Sequence, residues 1–140
     1  MRITQISIFA ENKPGHVTAP FRLLADAQIN IRALSLADSK YFGILRMIVS
    51  DSKKAAELLK EAGFLVKVTE VVAIQVPDVP GGMAGVMDAL NGTSINIEYM
   101  YAYPFKAGEK AMLIFRFDDP DAAVRKFQEA GITVVGQEEL

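Results

Sequence analysis

The sequence contains no cysteine and a single histidine, His16, among its 140 residues. Without cysteine the chain cannot supply a disulfide framework, a thiol nucleophile or a thiolate metal site. The lone histidine has no further ligands at metal-binding spacing and no partner that would make it a catalytic base. We therefore predict no catalytic residue, no metal site and no cofactor.

Long apolar runs and a surplus of positive charge are also missing. The apolar runs are too short for a transmembrane helix, and the first residues lack the apolar core of a signal peptide. The formal net charge is −2, with lysine and arginine scattered along the chain. A nucleic-acid site would need a basic cluster to contact phosphates. We expect a cytoplasmic protein with no membrane partner and no nucleic-acid partner.

The chain repeats itself after about half its length. Pro14-Gly15 recurs as Pro80-Gly81, and Ile29-Asn30-Ile31 recurs as Ile95-Asn96-Ile97, in both cases 66 residues later. Self-similarity at a fixed spacing indicates two structural units of one kind. We therefore predict a first domain over 1–70 and a second domain over 71–140.

Each half has the same predicted order of elements. Alternating apolar and polar residues open both copies with a strand, and apolar residues at helical spacing follow each Pro-Gly pair. Two strands come next, over 30–38 and 43–50 in the first copy and over 95–103 and 110–118 in the second. A second helix and a last strand complete each copy. The resulting order, βαββαβ twice, predicts an α+β fold of two ferredoxin-like domains in tandem.

Short sequence signals mark the second helix of each copy. Asp51 and Asp119 are predicted N-caps, because a carboxylate can accept a hydrogen bond from the exposed N–H groups of a first helical turn. Gly63 and Gly131 are predicted to end these helices in the left-handed conformation. The second copy is longer by two residues, which we place in the hairpin at 104–110, where an insertion disturbs no buried pairing.

Together these motifs resemble the ACT domain family. In each copy a Pro-Gly loop follows a strand and precedes a helix, and Ile-Asn-Ile opens the next strand. The resemblance covers nearly the whole chain, as a tandem pair. It implies that the two sheets join side by side into one eight-stranded antiparallel sheet with helices on one face. It also implies that a free amino acid binds between paired units.

The resemblance suggests which residues would hold that ligand. In a serine-sensing member of the family, one Asn lies in the strand-to-helix loop and another at the second-strand start of the opposite unit. These positions match Asn12 and Asn30 in the first copy, and Asp78 and Asn96 in the second. A ligand-binding His of that member falls at Ala10. Serine is therefore not the expected ligand, and an apolar or aromatic amino acid is favoured.

Elementary physical chemistry favours the same positions. A helix N-terminus offers unpaired N–H groups and a partial positive charge, which suit a carboxylate. We expect one site near Asn12, Gly15 and Asn96, and another near Asp78, Gly81 and Asn30. The complete set of candidate ligand residues is Asn12, Lys13, Pro14, Gly15, Asn30, Ile31, Asp78, Pro80, Gly81, Gly82, Met83, Asn96 and Ile97.

Each of these residues also has a structural interpretation that stays open. Pro-Gly is common in ordinary turns, and Asn30 and Asn96 can serve simply as turn residues before strands. Tyr99, Tyr101 and Tyr103 share one face of a strand, where cross-strand packing is the plain interpretation and a subunit or ligand surface the alternative.

The resulting hypothesis is a non-enzymatic regulatory sensor of a free amino acid. It would act on a separate metabolic enzyme or through a homo-oligomer, most simply a dimer. One alternative is a structural interaction module that binds no metabolite. Another is an acylphosphatase-like hydrolase, which the sequence disfavours because the first loop offers Lys13 but no arginine.

Overall fold

The structure, a computed structural model, describes residues 1–38, 40–104 and 110–140. The chain divides into two compact units, one formed by Thr4–Thr69 and the other by Met1–Ile3 together with Glu70–Leu140. The predicted two-residue insertion at 104–110 lies mostly outside the described residues. Among the helices of the described part, none has the length and apolar character needed to cross a membrane.

The first unit has the predicted order of strands and helices. Its elements are β1 (Ile3–Glu11), α1 (Thr18–Asp26), β2 (Ile31–Asp38), β3 (Phe42–Val49), α2 (Ser52–Glu61) and the beginning of β4 (Leu65–Pro77). The strand order is β2-β3-β1-β4, and β3 pairs antiparallel with both β2 and β1.

The second unit repeats this arrangement. The rest of β4 is followed by α3 (Gly82–Leu90), β5 (Ile97–Tyr103), β6 (Lys110–Phe117), α4 (Pro120–Glu129), β7 (Val134–Val135) and a final 3₁₀ turn at Gln137–Glu139. Strand β6 lies between β4 and β5, and β7 pairs with β4. The predicted class, α+β with two ferredoxin-like βαββαβ units, is confirmed.

The described residues contain seven strands where the sequence predicts eight. The last strand of the first copy and the first strand of the second are one continuous strand, β4, so no turn separates them. No glycine or proline interrupts the chain between Leu65 and Val76, and valine and threonine favour extended backbone throughout this segment. That the two sheets form one side-by-side sheet stays a prediction.

Each unit has its own apolar core between its helices and one face of its strands. In the first unit, Ile6 and Ile8 of β1 are fully buried with Leu24 of α1 and Leu59 of α2. In the second unit three phenylalanine side chains, Phe115, Phe117 and Phe127, are fully buried and form an aromatic cluster. Phe115 and Phe117 stack at 5.3 Å between ring centroids, and Phe127 of α4 lies 5.7 Å from Phe117.

The predicted helix ends are confirmed. The side chain of Asp51 accepts a hydrogen bond from the Lys54 backbone N–H at 3.1 Å, and that of Asp119 accepts one from Ala122 at 3.1 Å. Gly63 and Gly131, directly after the two helices, have positive φ angles of 92° and 75°. Both copies therefore begin and end their second helix by the same local chemistry.

An exposed ion-pair cluster ties the first residues of the chain to the second unit. The Arg2 guanidinium donates to both carboxylate oxygens of Asp121, Nε to Oδ1 at 3.1 Å and Nη2 to Oδ2 at 2.6 Å. It also pairs with the Glu70 carboxylate. The hydrogen bonds from Arg2 hold the pKa of the Asp121 carboxyl below its ordinary value.

This shift predicts how the cluster responds to acid. Because the pKa of Asp121 is lowered in the folded state, its stabilising contribution is complete above the ordinary pKa of 3.8 and disappears as pH falls through the lowered value. We expect Asp121→Asn to lower the urea midpoint at neutral pH, with a difference from the unsubstituted protein that narrows in acid. Asp26→Asn, an exposed carboxylate at the end of α1, is the control. If the difference in urea midpoint between the variant and the unsubstituted protein does not change with pH, the stabilising ion pair between Arg2 and Asp121 is contradicted.

Candidate functional site

A backbone hydrogen bond to Tyr41 and a left-handed residue shape the loop after β1 in the first copy. The Asn12 N–H donates to the Tyr41 carbonyl at 3.1 Å, and Gly15 has a φ of +82°, in the left-handed region. The Lys13 ammonium lies 3.0 Å from the Glu11 carboxylate, and the His16 ring hydrogen-bonds to the Lys13 carbonyl. The ammonium group of Lys13 thus lies beside a carboxylate in an exposed ion pair.

The corresponding loop of the second copy has the same turn but smaller side chains. Gly81 has a φ of +86° and is the N-cap of α3, and the Gly82 N–H donates to the Val79 carbonyl at 3.0 Å. A Cβ atom on Gly82 would lie 2.2 Å from the Pro77 carbonyl oxygen. Helix α3 therefore starts against the end of β4 with no room for a side chain.

The two predicted asparagines before the second strands are fixed through their backbones. The Asn30 N–H donates to Ser50 Oγ at 2.9 Å, and the Ser50 N–H donates to the Asn30 carbonyl at 2.9 Å. The same reciprocal pair joins Asn96 and Asp118, at 2.9 Å and 3.2 Å. Both asparagines are exposed and immediately precede β2 and β5. These four hydrogen bonds use only the backbone atoms of Asn30 and Asn96.

A groove of about 640 Å³ opens beside the second Pro-Gly loop. Such a volume is in the range of small-molecule sites, about 300–1,000 Å³. The lining comes from the end of β4, the following loop, one face of α3 and the segment after α4. The lining residues are Gln75, Pro77, Val79, Pro80, Gly81, Gly82, Gly85, Val86, Asp88, Ala89, Ala130 and Ile132.

The structure brings only part of the predicted site to this groove. Pro80, Gly81 and Gly82 line it, whereas Asp78, between the lining residues Pro77 and Val79, and Asn96, before β5, are exposed and are not among the lining residues. Three other predicted residues have a structural role. Met83 and Ile97 pack on the core of the second unit, and Ile31 packs on that of the first.

Most of the groove residues were not predicted. Ala130 and Ile132 lie about forty residues beyond α3 in the sequence and reach the groove only because the unit folds. One local signal was available: Gly85 occupies a helix interior, where glycine is unfavourable and so suggests a packing or functional reason. Among the residues that the structure describes, no group of three or more histidine, aspartate or glutamate side chains is placed to hold a metal ion.

Comparison with known proteins finds a matching family over the whole chain and similar proteins of known structure. The family described as an ACT domain pair matches residues 1–140, the whole sequence. The crystal structure of protein BT0572 from Bacteroides thetaiotaomicron is 39% identical, covers 96% of this chain and 92% of that one, and superposes with a TM-score of 0.90.

Two aspartokinase relatives are more distant. The regulatory subunit of aspartate kinase from Thermus thermophilus, in a ligand-free form, is 20% identical over 91% of each chain, with a TM-score of 0.65, which shows a shared fold. An aspartokinase of Corynebacterium glutamicum is 29% identical over 144 aligned residues, covering 91% of this chain. The chain spans only 33% of the length of that relative.

Because Gly82 lies against the Pro77 carbonyl, we predict that a methyl group at this position lowers the stability of the fold. In Gly82→Ala the Cβ must displace the Pro77 carbonyl, 2.2 Å away, because backbone cannot yield as a flexible side chain can. We expect a loss of about 1–3 kcal/mol in the free energy of unfolding, measured by urea denaturation.

Gly85→Ala is the matched control for this measurement. A Cβ at Gly85 meets nothing within 4 Å, so alanine there should stabilise α3 by about 0.5–1 kcal/mol. Equal effects of the two substitutions would contradict the described start of α3.

Proposed function

Because the chain belongs to the ACT domain family, as a pair of such domains, we propose that it is a regulatory module that binds a free amino acid. Binding would favour one conformation of the module and pass that preference to a partner. Coupling between sites in such systems is typically about 1–3 kcal/mol. The partner is a separate polypeptide or another copy of this chain.

One observation carries the proposal. The second of the two repeated Pro-Gly loops, at Pro80, Gly81 and Gly82, lines the groove of about 640 Å³. The same loop begins α3, whose first-turn N–H groups have no acceptor within the helix and attract a carboxylate. The groove thus lies beside the start of α3, where the carboxylate of an amino acid could bind.

The loop of the first copy supports a ligand role by its backbone rather than by an observed cavity. Gly15 and Gly81 share the left-handed conformation, so the same turn precedes α1 and α3. Asn12 is exposed in the first loop, where its carboxamide can both donate and accept hydrogen bonds. The predicted pairing of each loop with the second-strand start of the other copy stays a prediction.

For the regulated partner we propose a metabolic enzyme on a separate chain. The regulatory subunit from Thermus thermophilus is itself a chain of similar extent, because 91% of each chain aligns. In the Corynebacterium glutamicum relative, the matching region is 33% of a longer aspartokinase. In both relatives the region that matches this chain is part of an aspartate kinase, either as a separate regulatory subunit or within the enzyme chain.

A thermal-shift screen against the twenty amino acids tests ligand binding. A ligand at a hundred times its Kd stabilises the folded state by about 2.7 kcal/mol through mass action, which raises the melting temperature by several degrees. We expect at least one amino acid to give this response. A screen with no response overturns the proposal and favours an interaction module without a metabolite.

The loop assignment is tested with Asn12→Ala, Asn96→Ala and Asp78→Ala. The backbone bonds described for Asn12 and Asn96 survive truncation to alanine, so the protein should fold. We expect at least one substitution to reduce the ligand-induced shift, with Asn91→Ala, an exposed residue at the end of α3, as control. An unchanged response in all three variants would remove the loops from the site while leaving amino-acid binding in place.

A further inference from the structure

The groove in the second unit exists because small residues stand where the first copy has larger ones. Gly82, Gly85 and Ala89 of α3 line it, and the repeat places His16, before α1, and Ala19 and Leu23 of α1 at the corresponding positions. At one flank of the groove, Ile132 corresponds to the larger Phe64. The order of elements repeats, but the first copy has larger residues, His16, Leu23 and Phe64, where the second copy has Gly82, Ala89 and Ile132.

The lining of the groove is mainly apolar and carries no positive charge. Pro77, Val79, Val86 and Ile132 form the apolar surface, and Gln75 and Asp88 are the only residues in the described lining with polar side chains. The described lining itself holds no cation for an anionic side chain, and Lys110 lines an adjoining pocket together with Gln75, Pro77 and Ile132. The single carboxylate, Asp88, is exposed, so solvent screens its attraction for a basic side chain.

These observations decide between classes of amino acid. Burying an apolar side chain against apolar walls is more favourable than one solvent-exposed ion pair. The start of α3 supplies a positive pole beside the groove, because the helix dipole and the first-turn N–H groups lie at this end of the helix. A ligand whose carboxylate lies there can extend its side chain along the face of α3 towards Gly85 and Ala89.

On the basis of the proposed function, we infer that the second unit binds an α-amino acid with an uncharged aliphatic or thioether side chain, and that this side chain occupies the groove. Gly85 and Ala89 are then the residues that set specificity, because their small size makes the space. The first copy has larger residues, His16, Leu23 and Phe64, at three of the corresponding positions, so we expect the two copies to bind unequally.

Titration calorimetry with valine, leucine, isoleucine and methionine tests this inference, with lysine, glutamate and serine as comparison ligands. At least one amino acid of the first group should bind, and more tightly than every member of the second. Binding by lysine, glutamate or serine in preference to the apolar group overturns the inference.

Two variants test the location. Gly85→Leu projects a side chain into open space, since a Cβ there meets nothing within 4 Å, and it replaces glycine with a good helix former. We expect it to raise the Kd of the apolar amino acid at least tenfold. Ala84→Leu is the matched control, because Ala84 is exposed on the same helix and does not line the groove, and its Kd should stay within twofold of the unsubstituted protein.

Ala89→Leu gives a second, independent block, because it introduces the residue that the first copy has at Leu23. Circular dichroism and urea denaturation establish that each variant is folded. In amide NMR spectra of the unsubstituted protein, the ligand should shift the signals of Gly81, Gly82 and Gly85 and leave those of Gly15 and Gly63 nearly unchanged.

The outcomes separate this inference from the proposed function. If none of the twenty amino acids binds the unsubstituted protein, both are wrong. If an amino acid binds but Gly85→Leu and Ala89→Leu leave its Kd unchanged, amino-acid sensing stands and the groove is not the site. Loss of binding in both variants, with Ala84→Leu unaffected, supports the groove.

Discussion

The start of helix α3 depends on one close contact between backbone atoms. Gly82 lies so near the Pro77 carbonyl that any Cβ would overlap it, and Gly81 before it takes a left-handed φ of +86°. Two consecutive glycines let the chain leave β4, turn and enter the helix within a few residues. The direction of α3, and with it the face that lines the groove, follows from this constraint.

Duplication has given the two units a common backbone and different surfaces. The left-handed turn recurs at Gly15 and Gly81, and the aspartate caps recur at Asp51 and Asp119. These features depend on backbone hydrogen bonds, which tolerate few residue types. The side chains on the exposed face of the first helix of each copy are under no such restriction. Divergence there leaves the backbone intact while it changes what the surface can bind.

Hydrogen bonds and ion pairs fix several of the places where strands and helices begin. Asn30 and Asn96 lock the starts of β2 and β5 through reciprocal backbone bonds with Ser50 and Asp118. The exposed Arg2 cluster fixes the first residues of the chain to the second unit instead of the first. Rigid strand starts and helix starts hold neighbouring loops in place, which is the arrangement a small-ligand site needs.

The sequence by itself determined the duplication, the βαββαβ order, the helix caps and the position of the two Pro-Gly turns. Those features depend on local hydrogen bonding and on the spacing of apolar residues, both of which can be read along the chain. Only the tertiary structure decided that Arg2 pairs with Asp121 and that a groove forms beside α3. Each of these joins residues far apart in sequence or depends on space left by absent side chains. Ala130 and Ile132 reach Gly85 only because α4 packs beside α3, and no local pattern encodes that juxtaposition.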